Sequence, residues 1–293
     1  MSAIETVVES GYHLSDEQIA AYRRDGFIVL HDVFAGAELA ELRDAVAAAV
    51  AGEMHLGVMA EEKGKLDTSK SGLEEGKAAA QKEAAATKGA YEQLFIQKVN
   101  LWRRWPAVAR FVTSTRVGNI AARLEGSPMR VWHDQALFKE PKTGVKTPWH
   151  QDAVYWPHAE RGGETTIWIA LKDATIRNGC MSFVGGTHKI GVLPRIDLGN
   201  PADIFQYAPH LKPVKAVVCP LKAGSVTFHN GLTFHCAGPN KSDGMREAFA
   251  IIYMRDGTLY DGKGHVLTDP MKVKGLKAGD RLEGELFPLV SDC

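Results

Sequence analysis

The chain has no net charge to speak of, because 35 Lys+Arg residues offset 35 Asp+Glu across its 293 positions. A surface so balanced lacks the field that gathers nucleic acid or an anionic membrane, so neither is an expected partner. Long apolar runs are missing too, and the hydrophobic stretches fall short of the roughly 20 residues that span a bilayer. The opening MSAIETVVESGYH has no basic-then-apolar leader, and the closing VSDC carries no lipidation or peroxisomal signal. The cytoplasm is the expected location. Only four cysteines occur, Cys180, Cys219, Cys236 and Cys293, and no two form a C-x-x-C pair. That argues against a zinc knuckle and a dithiol redox site. Cys236 adjoins a histidine of interest, yet a free cysteine ordinarily packs as a small hydrophobe. The phosphate-binding G-x-x-x-x-G-K-[ST], the hydrolase G-x-S-x-G and the zincin H-E-x-x-H are all absent, and GKGHVL near Gly262 lacks the third glycine of a dinucleotide loop.

What is present suffices for a sizeable core: 45% of residues are hydrophobic and 24% charged. One enlarged domain over 1–293 is the simplest organisation, since barrels and sandwiches reach this length. Ser15 followed by DEQIAAYRRD and Gly26 predicts a capped helix, FIVLHDVF a strand, and AGAELAELRDAVAAAV a second helix. Residues 60–89 combine charges, alanines and glycines without aromatic core formers, which predicts a mobile, partly helical lid or surface loop. Leu94 to Leu124 returns to an apolar helical period. From Met129 the pattern changes to short β-type runs: MRVWHDQALFK, TPWHQDAVYW, TTIWIALKD, MSFVGG, VKAVVCP, SVTFHNGLTFH and EAFAIIYM. Turn signals such as RGGE, RNG and KAG separate them. The expected fold is mainly β, with a helical N-terminal layer over 1–128, a double-sheet jelly roll over 129–256 and a C-terminal extension over 257–293.

Residues with metal-binding chemistry gather in these runs. Positions i and i+2 of a strand share a face, so His150 and Asp152 of HQD should converge while Gln151 turns away. His235, at the end of LTFH, offers a third donor. Two neutral imidazoles and one carboxylate on one face of a metal leave positions open for other ligands, as in mononuclear non-haem iron sites, although zinc accepts similar donors. His229 competes with His235, but would misplace the GPN turn and the arginine that follow. That arginine, Arg246, can fork onto a carboxylate whose other end reaches the metal, which is how a 2-oxo diacid would be held. His133 and Asp134 read as core residues or supports beside the metal, and His188 as a turn residue satisfied by backbone. Trp149, Tyr155 and Trp156 read as core or substrate-pocket wall, and Arg103, Arg104 and Trp105 as a solvated helix face.

With these residues in view, the chain resembles the phytanoyl-CoA dioxygenase family of Fe(II)/2-oxoglutarate oxygenases over nearly its whole length. The resemblance rests on AYRRDGFIVLHDVF, QKVNLW, HQD, TIWIALKDATIRNGCMSFVGGTHK, AGSVTFHNGLTFHCAGPN and Arg246. It implies a cupin-like double-stranded β-helix, iron held by His150, Asp152 and His235, and Arg246 on the distal carboxylate of 2-oxoglutarate. It also implies Lys98, Gln135 and Trp168 in the cosubstrate pocket. Fe(II), 2-oxoglutarate and O2 are the implied cofactor and cosubstrates. The implied reaction is hydroxylation of an unactivated C–H bond in a small organic molecule, releasing succinate and CO2. Asp152 favours hydroxylation over halogenation, while desaturation and ring closure use the same ligands. Ala237 departs from the family, which often has a serine there that bonds the cosubstrate. Nothing marks a groove for coenzyme A. The competing classes are a zinc hydrolase or isomerase on a similar scaffold, which has no need of Arg246, and a non-catalytic binding member, which has no need of a full ligand set.

Overall fold

Helix α1 (Asp16–Asp25) forms because both its ends are closed locally. The Ser15 side chain accepts the Gln18 N–H, the Gln18 side chain accepts the Ser15 N–H, and Gly26 ends the helix at φ 78°. Strand β1 (Phe27–Leu30) and the long helix α2 (Gly36–Leu66) follow. The computed structural model describes residues 12–66, 96–142, 145–198, 204–212, 214–272 and 274–291. Of the excursion expected at 60–89, the first residues continue α2, and 67–89 lie outside the described residues.

The stretch expected as one helical period, Leu94 to Leu124, is divided. It holds β2 (Ile96–Val99), a 3-10 turn (Leu101–Arg103), α3 (Pro106–Val112) and α4 (Thr115–Glu125). Then come β3 (Met129–Lys139), β4 (Thr147–His150), β5 (Glu164–Ala170), β6 (Met181–Phe183) and β7 (Val217–Cys219). Strands β8 (Val226–Asn230), β9 (His235–Ala237) and β10 (Arg246–Arg255) complete the ladders, and a short helix α5 (Asp269–Lys272) follows. Strand β2 departs from the helical expectation because IQKV is too short for its own period to decide, and pairing decides instead: Ile96 lies opposite Phe138 and Val99 opposite Gln135. Likewise the run TPWHQDAVYW is a strand only through His150, and a 3-10 turn takes Ala153–Tyr155. SVTFHNGLTFH is broken after Asn230, so its two halves enter different sheets.

A six-stranded sheet runs β1-β8-β5-β10-β3-β2 and a four-stranded sheet β4-β9-β6-β7, every pair antiparallel. This is the expected jelly roll, with one addition: the two N-terminal strands occupy both edges of the larger sheet, where unpaired backbone would otherwise be exposed. The outer face of that sheet meets the helices. Ile167, Phe228, Phe249 and Ile251 pack there with Leu42, Val46, Val117 and Leu124, each burial contributing roughly 1.5–3 kcal/mol. The inner face carries Trp132, Trp168, Ala248, Ala250 and Ile252, packed with Met181, Phe183 and Ala237 of the smaller sheet. Residues beyond 256 return to this core: Leu289 bridges Arg130, Tyr260 bridges His158, and Leu282, Phe287 and Val290 are buried.

Within α4, Gly118 shows how tightly this return is packed. Replacing an interior helical glycine by alanine ordinarily gains about 1 kcal/mol. Here an added Cβ would lie 1.9 Å from the Val290 carbonyl oxygen. Gly118→Ala is therefore expected to lose about 1–3 kcal/mol, read as a lower midpoint in denaturant unfolding. A midpoint equal to or above that of the parent would contradict the tight approach.

Candidate active site

Alternation along β10 makes room for a cavity. Its large residues Phe249, Ile251 and Tyr253 face the helices, while Ala248 and Ala250 face the smaller sheet on the same side as Arg246. The space left between the sheets is a cavity of about 970 Å³ whose wall includes His150, Asp152, His235, Trp168, Gln135 and Arg246.

His150 and His235 are direct cross-strand partners of the β4–β9 pair, with ring centroids 4.1 Å apart. Each ring uses Nδ1 on a carbonyl two residues earlier, His150 on Pro148 at 2.8 Å and His235 on Thr233 at 2.9 Å. A carbonyl only accepts, so both rings carry their proton on Nδ1 and keep a lone pair on Nε2. Asp152 Oδ1 lies 3.3 Å from the His150 Nε2 and 3.4 Å from the His235 Nε2. One ligand atom from each residue lies within 4.8 Å of the others, so this trio could hold a metal ion. The convergence arises differently from the strand-face expectation. Asp152 sits past the end of β4 with φ −71° and ψ −44°, and the turn, not the strand pleat, brings its carboxylate back. His229, the competing histidine, meets the other oxygen, Oδ2, at 3.3 Å and stands outside the trio.

Electrostatics suit metal ligands. Burial holds the His150 imidazole below its usual range, with the His235 ring adding to the effect, so His150 stays neutral. Burial opposes charge on Asp152, but the ring of His235, with those of His150 and His229, outweighs burial whenever an Nε2 proton rather than a metal lies between ring and carboxylate, and the carboxyl then stays well below the usual carboxylate range.

Arg246 opens β10 and is 2% exposed. Its Nη1 donates to the Leu137 carbonyl at 3.0 Å, its guanidinium carbon lies 5.3 Å from the Trp168 ring centre, and its Nε is buried without a partner. The surface pairings that could have absorbed it are taken: Asp243 pairs with Lys142 and Glu247 with Lys172. Burial pushes its guanidinium down to about 10. Its cross-strand neighbour Lys139 is also buried, and donates to the carbonyls of Gly238 at 2.7 Å, Ala237 at 3.3 Å and Val145 at 3.4 Å. Burial, with Arg246 adding, pulls that ammonium down to about 7. Among the described residues no carboxylate pairs with either cation, so this end of the cavity is short of negative charge.

The remaining expectations divide. Gln135 and Trp168 line the cavity, and Gln135 accepts the Gln97 amide at 2.6 Å. Lys98 does not line it and needs correction. It lies opposite Ala136, which packs toward the helices, whereas its neighbours Gln97 and Val99 reach the cavity. Tyr155 and Trp156 are cavity wall, but Trp149 packs on Phe205. His133 lines the cavity while Asp134 turns away to accept the Leu101 and Trp102 N–H groups. His188 rests on the Arg23 carbonyl as a turn residue. Arg104 is exposed, as a solvated face requires, and bonds Glu53, whereas Arg103 and Trp105 are half-buried: Arg103 lies over the Phe287 ring and Trp105 bonds Glu53. Thr166 and His265 are among the wall residues not marked by the sequence. Thr166 was recoverable from its alternation with Trp168, whereas His265 comes from the C-terminal return, which carries no local pattern.

A double-stranded β-helix with two imidazoles and a carboxylate at its cavity defines a metal-binding jelly roll. The chain belongs to the phytanoyl-CoA dioxygenase (PhyH) family, whose model matches residues 22–248. It is 30% identical over 163 residues to the phytanoyl-CoA dioxygenase of Arabidopsis thaliana, covering 55% of this chain and 57% of the relative. The chain spans about half the length of the first curated relatives it matches. Among solved structures it is similar to the non-haem α-ketoglutarate-dependent carbocyclase SnoK from nogalamycin biosynthesis, at 28% identity and a TM-score of 0.72, covering 97% of this chain and 98% of that one. It is also similar to the epimerase SnoN in complex with Fe3+, α-ketoglutarate and nogalamycin RO, at 29% identity and a TM-score of 0.66, covering 94% and 98%.

A three-ligand site has few donors to lose. His150→Ala and His235→Ala are each expected to weaken Fe(II) binding by more than about a hundredfold, since supporting groups alone are worth roughly 10–100-fold. Anaerobic titration would measure it, and near-parental affinity in both variants would dismiss the trio as the metal site.

Proposed function

We propose that this chain is an Fe(II)- and 2-oxoglutarate-dependent oxygenase that hydroxylates a C–H bond of a small organic molecule, with release of succinate and CO2. The observation that carries the reading is the buried Arg246, unmatched by any carboxylate among the described residues and facing the same cavity as the His150, Asp152 and His235 donors. A zinc hydrolase would leave that guanidinium without a purpose. Iron, when bound, supplies the electron chemistry that couples loss of CO2 from 2-oxoglutarate to oxidation of the substrate.

The protein's own part is orientation and exclusion of water. His150, Asp152 and His235 would hold the metal with both imidazoles already in the required tautomer. Arg246 would receive the far carboxylate of 2-oxoglutarate, its plane kept in place by Trp168 and the Leu137 carbonyl. Lys139, its cross-strand neighbour, is buried beside it and donates to the carbonyls of Ala237 and Gly238. Ala237, where relatives often have serine, is buried in the wall and offers contact without a hydrogen bond. The substrate would lie on the other side of the metal trio, against Tyr155, Trp156, His133 and His265. Burial pulls those two imidazoles down to about 3 and about 4, so both are neutral hydrogen-bonding groups. Among the described residues no helix is long and apolar enough to cross a membrane. Free thiols at Cys180, Cys219 and Cys236 support a cytoplasmic location.

Arg246→Leu separates this reading from its rivals. If the charge-assisted contact is worth roughly 2 to 3 kcal/mol, 2-oxoglutarate affinity should fall on the order of thirty- to a hundredfold, with Fe(II) binding nearly intact. Binding titrations and succinate release over a substrate library are the measurements. An unchanged 2-oxoglutarate dependence would refute the cosubstrate assignment even with the iron site confirmed.

A further inference from the structure

We propose that His229 is a positioning residue that holds the Asp152 carboxylate so that one oxygen faces the metal and the other does not; the inference rests on the metal reading above. His229 stands on the inner face of β8 and is 1% exposed. Its Nε2 lies 3.3 Å from Asp152 Oδ2, and Thr166, its direct cross-strand partner on β5, places a hydroxyl 3.3 Å from the same oxygen. The two trio imidazoles instead approach Oδ1. The carboxylate is thus divided between two sets of neighbours.

Tautomers sharpen the division. His150 and His235 spend their Nδ1 protons on backbone carbonyls and face Oδ1 with lone pairs, which is an arrangement that only a cation between them makes favourable. His229 is the reverse. Its Nδ1 is buried without a partner, and its Nε2 meets a carboxylate, which can only accept. The proton therefore sits on Nε2, and His229 acts as a donor to the ligand, not as a ligand. Its ring packs 5.3 Å from that of Phe183, centre to centre. A phenyl ring would fill such a slot without burying an unsatisfied nitrogen, so the imidazole contributes something that packing alone does not require.

Full-length protein, titrated anaerobically with Fe(II) and separately with Co(II), tests this by affinity and by the Co(II) visible spectrum, whose intensity falls as coordination number rises. His229→Phe should weaken metal binding about tenfold or more and dim the Co(II) bands, as a released Oδ2 joins Oδ1 on the metal. His229→Gln, whose amide can still donate, should recover most of both. Thr166→Val, which removes the other donor, should shift the spectrum in the same direction by less, and carries the test if His229→Phe fails to fold by circular dichroism. Parental affinity and spectrum in His229→Phe or an unshifted spectrum in Thr166→Val would overturn the proposal. So would a loss in His229→Phe as complete as in His235→Ala, because His229 would then be a ligand. Failure of the parent chain to bind either metal would instead remove the metal reading beneath it.

Discussion

Two buried imidazoles whose ring centres are 4.1 Å apart can share one metal only if both are neutral and both turn an unprotonated nitrogen inward. The structure meets that condition with backbone. Each ring is tied through Nδ1 to the carbonyl two residues behind it, and the β4–β9 register sets the two strands so that the rings face each other. The turn leading into β9 is itself fixed from three sides. Thr233 donates to the Gly26 carbonyl, the Leu232 N–H reaches the Asn230 side chain, and the Phe234 N–H reaches Thr187. These bonds are buried, so losing one would leave an unsatisfied group that costs about 1–3 kcal/mol. The register that aligns the metal trio is therefore held by the end of α1 and the turn after β6, well outside the trio.

Charge divides the cavity as clearly as shape does. Asp152 carries the negative charge at the metal trio, while Arg246 brings a buried guanidinium to the cavity with no carboxylate partner among the described residues. Its cross-strand neighbour Lys139 donates to three backbone carbonyls, and burial pushes both cations toward neutrality. An anionic group reaching Arg246 would meet a guanidinium whose Nε is otherwise buried without a partner.

The sequence showed most of the architecture because long amphipathic patterns and turn residues report on local physics. The capped helix at Ser15 and the runs that became β3, β5 and β10 were legible for that reason. Short segments were not. IQKV became an edge strand through its partner, and Asp152 reached His150 through a turn that two residues of sequence do not encode. The same limit explains Lys98: a motif fixes which residues are near a pocket, but the pleat decides which of two neighbours points into it, and Gln97 does. Site chemistry carried by spacing between strands was legible, whereas chemistry carried by the tautomer of His229 or the burial of Lys139 needs three-dimensional surroundings.

Two of the most similar solved structures are named as a carbocyclase and an epimerase, on the same fold and at 28–29% identity. A shared metal and cosubstrate end therefore does not fix the outcome of the reaction; the placement of the substrate's hydrogen atoms does. Under the proposed function, that placement would fall in this chain to wall residues from separate segments. His133 and Gln135 come from β3, Tyr155 and Trp156 from the turn after Asp152, and His265 to Leu267 from beyond the last strand. The C-terminal return is consequently part of the cavity and not an appendage. It is anchored by the bridges at Tyr260 and Leu289 and by the close approach of Val290 to Gly118. The C-terminal return therefore shapes the cavity wall without contributing to the metal trio, because the two regions share a cavity and no ligand.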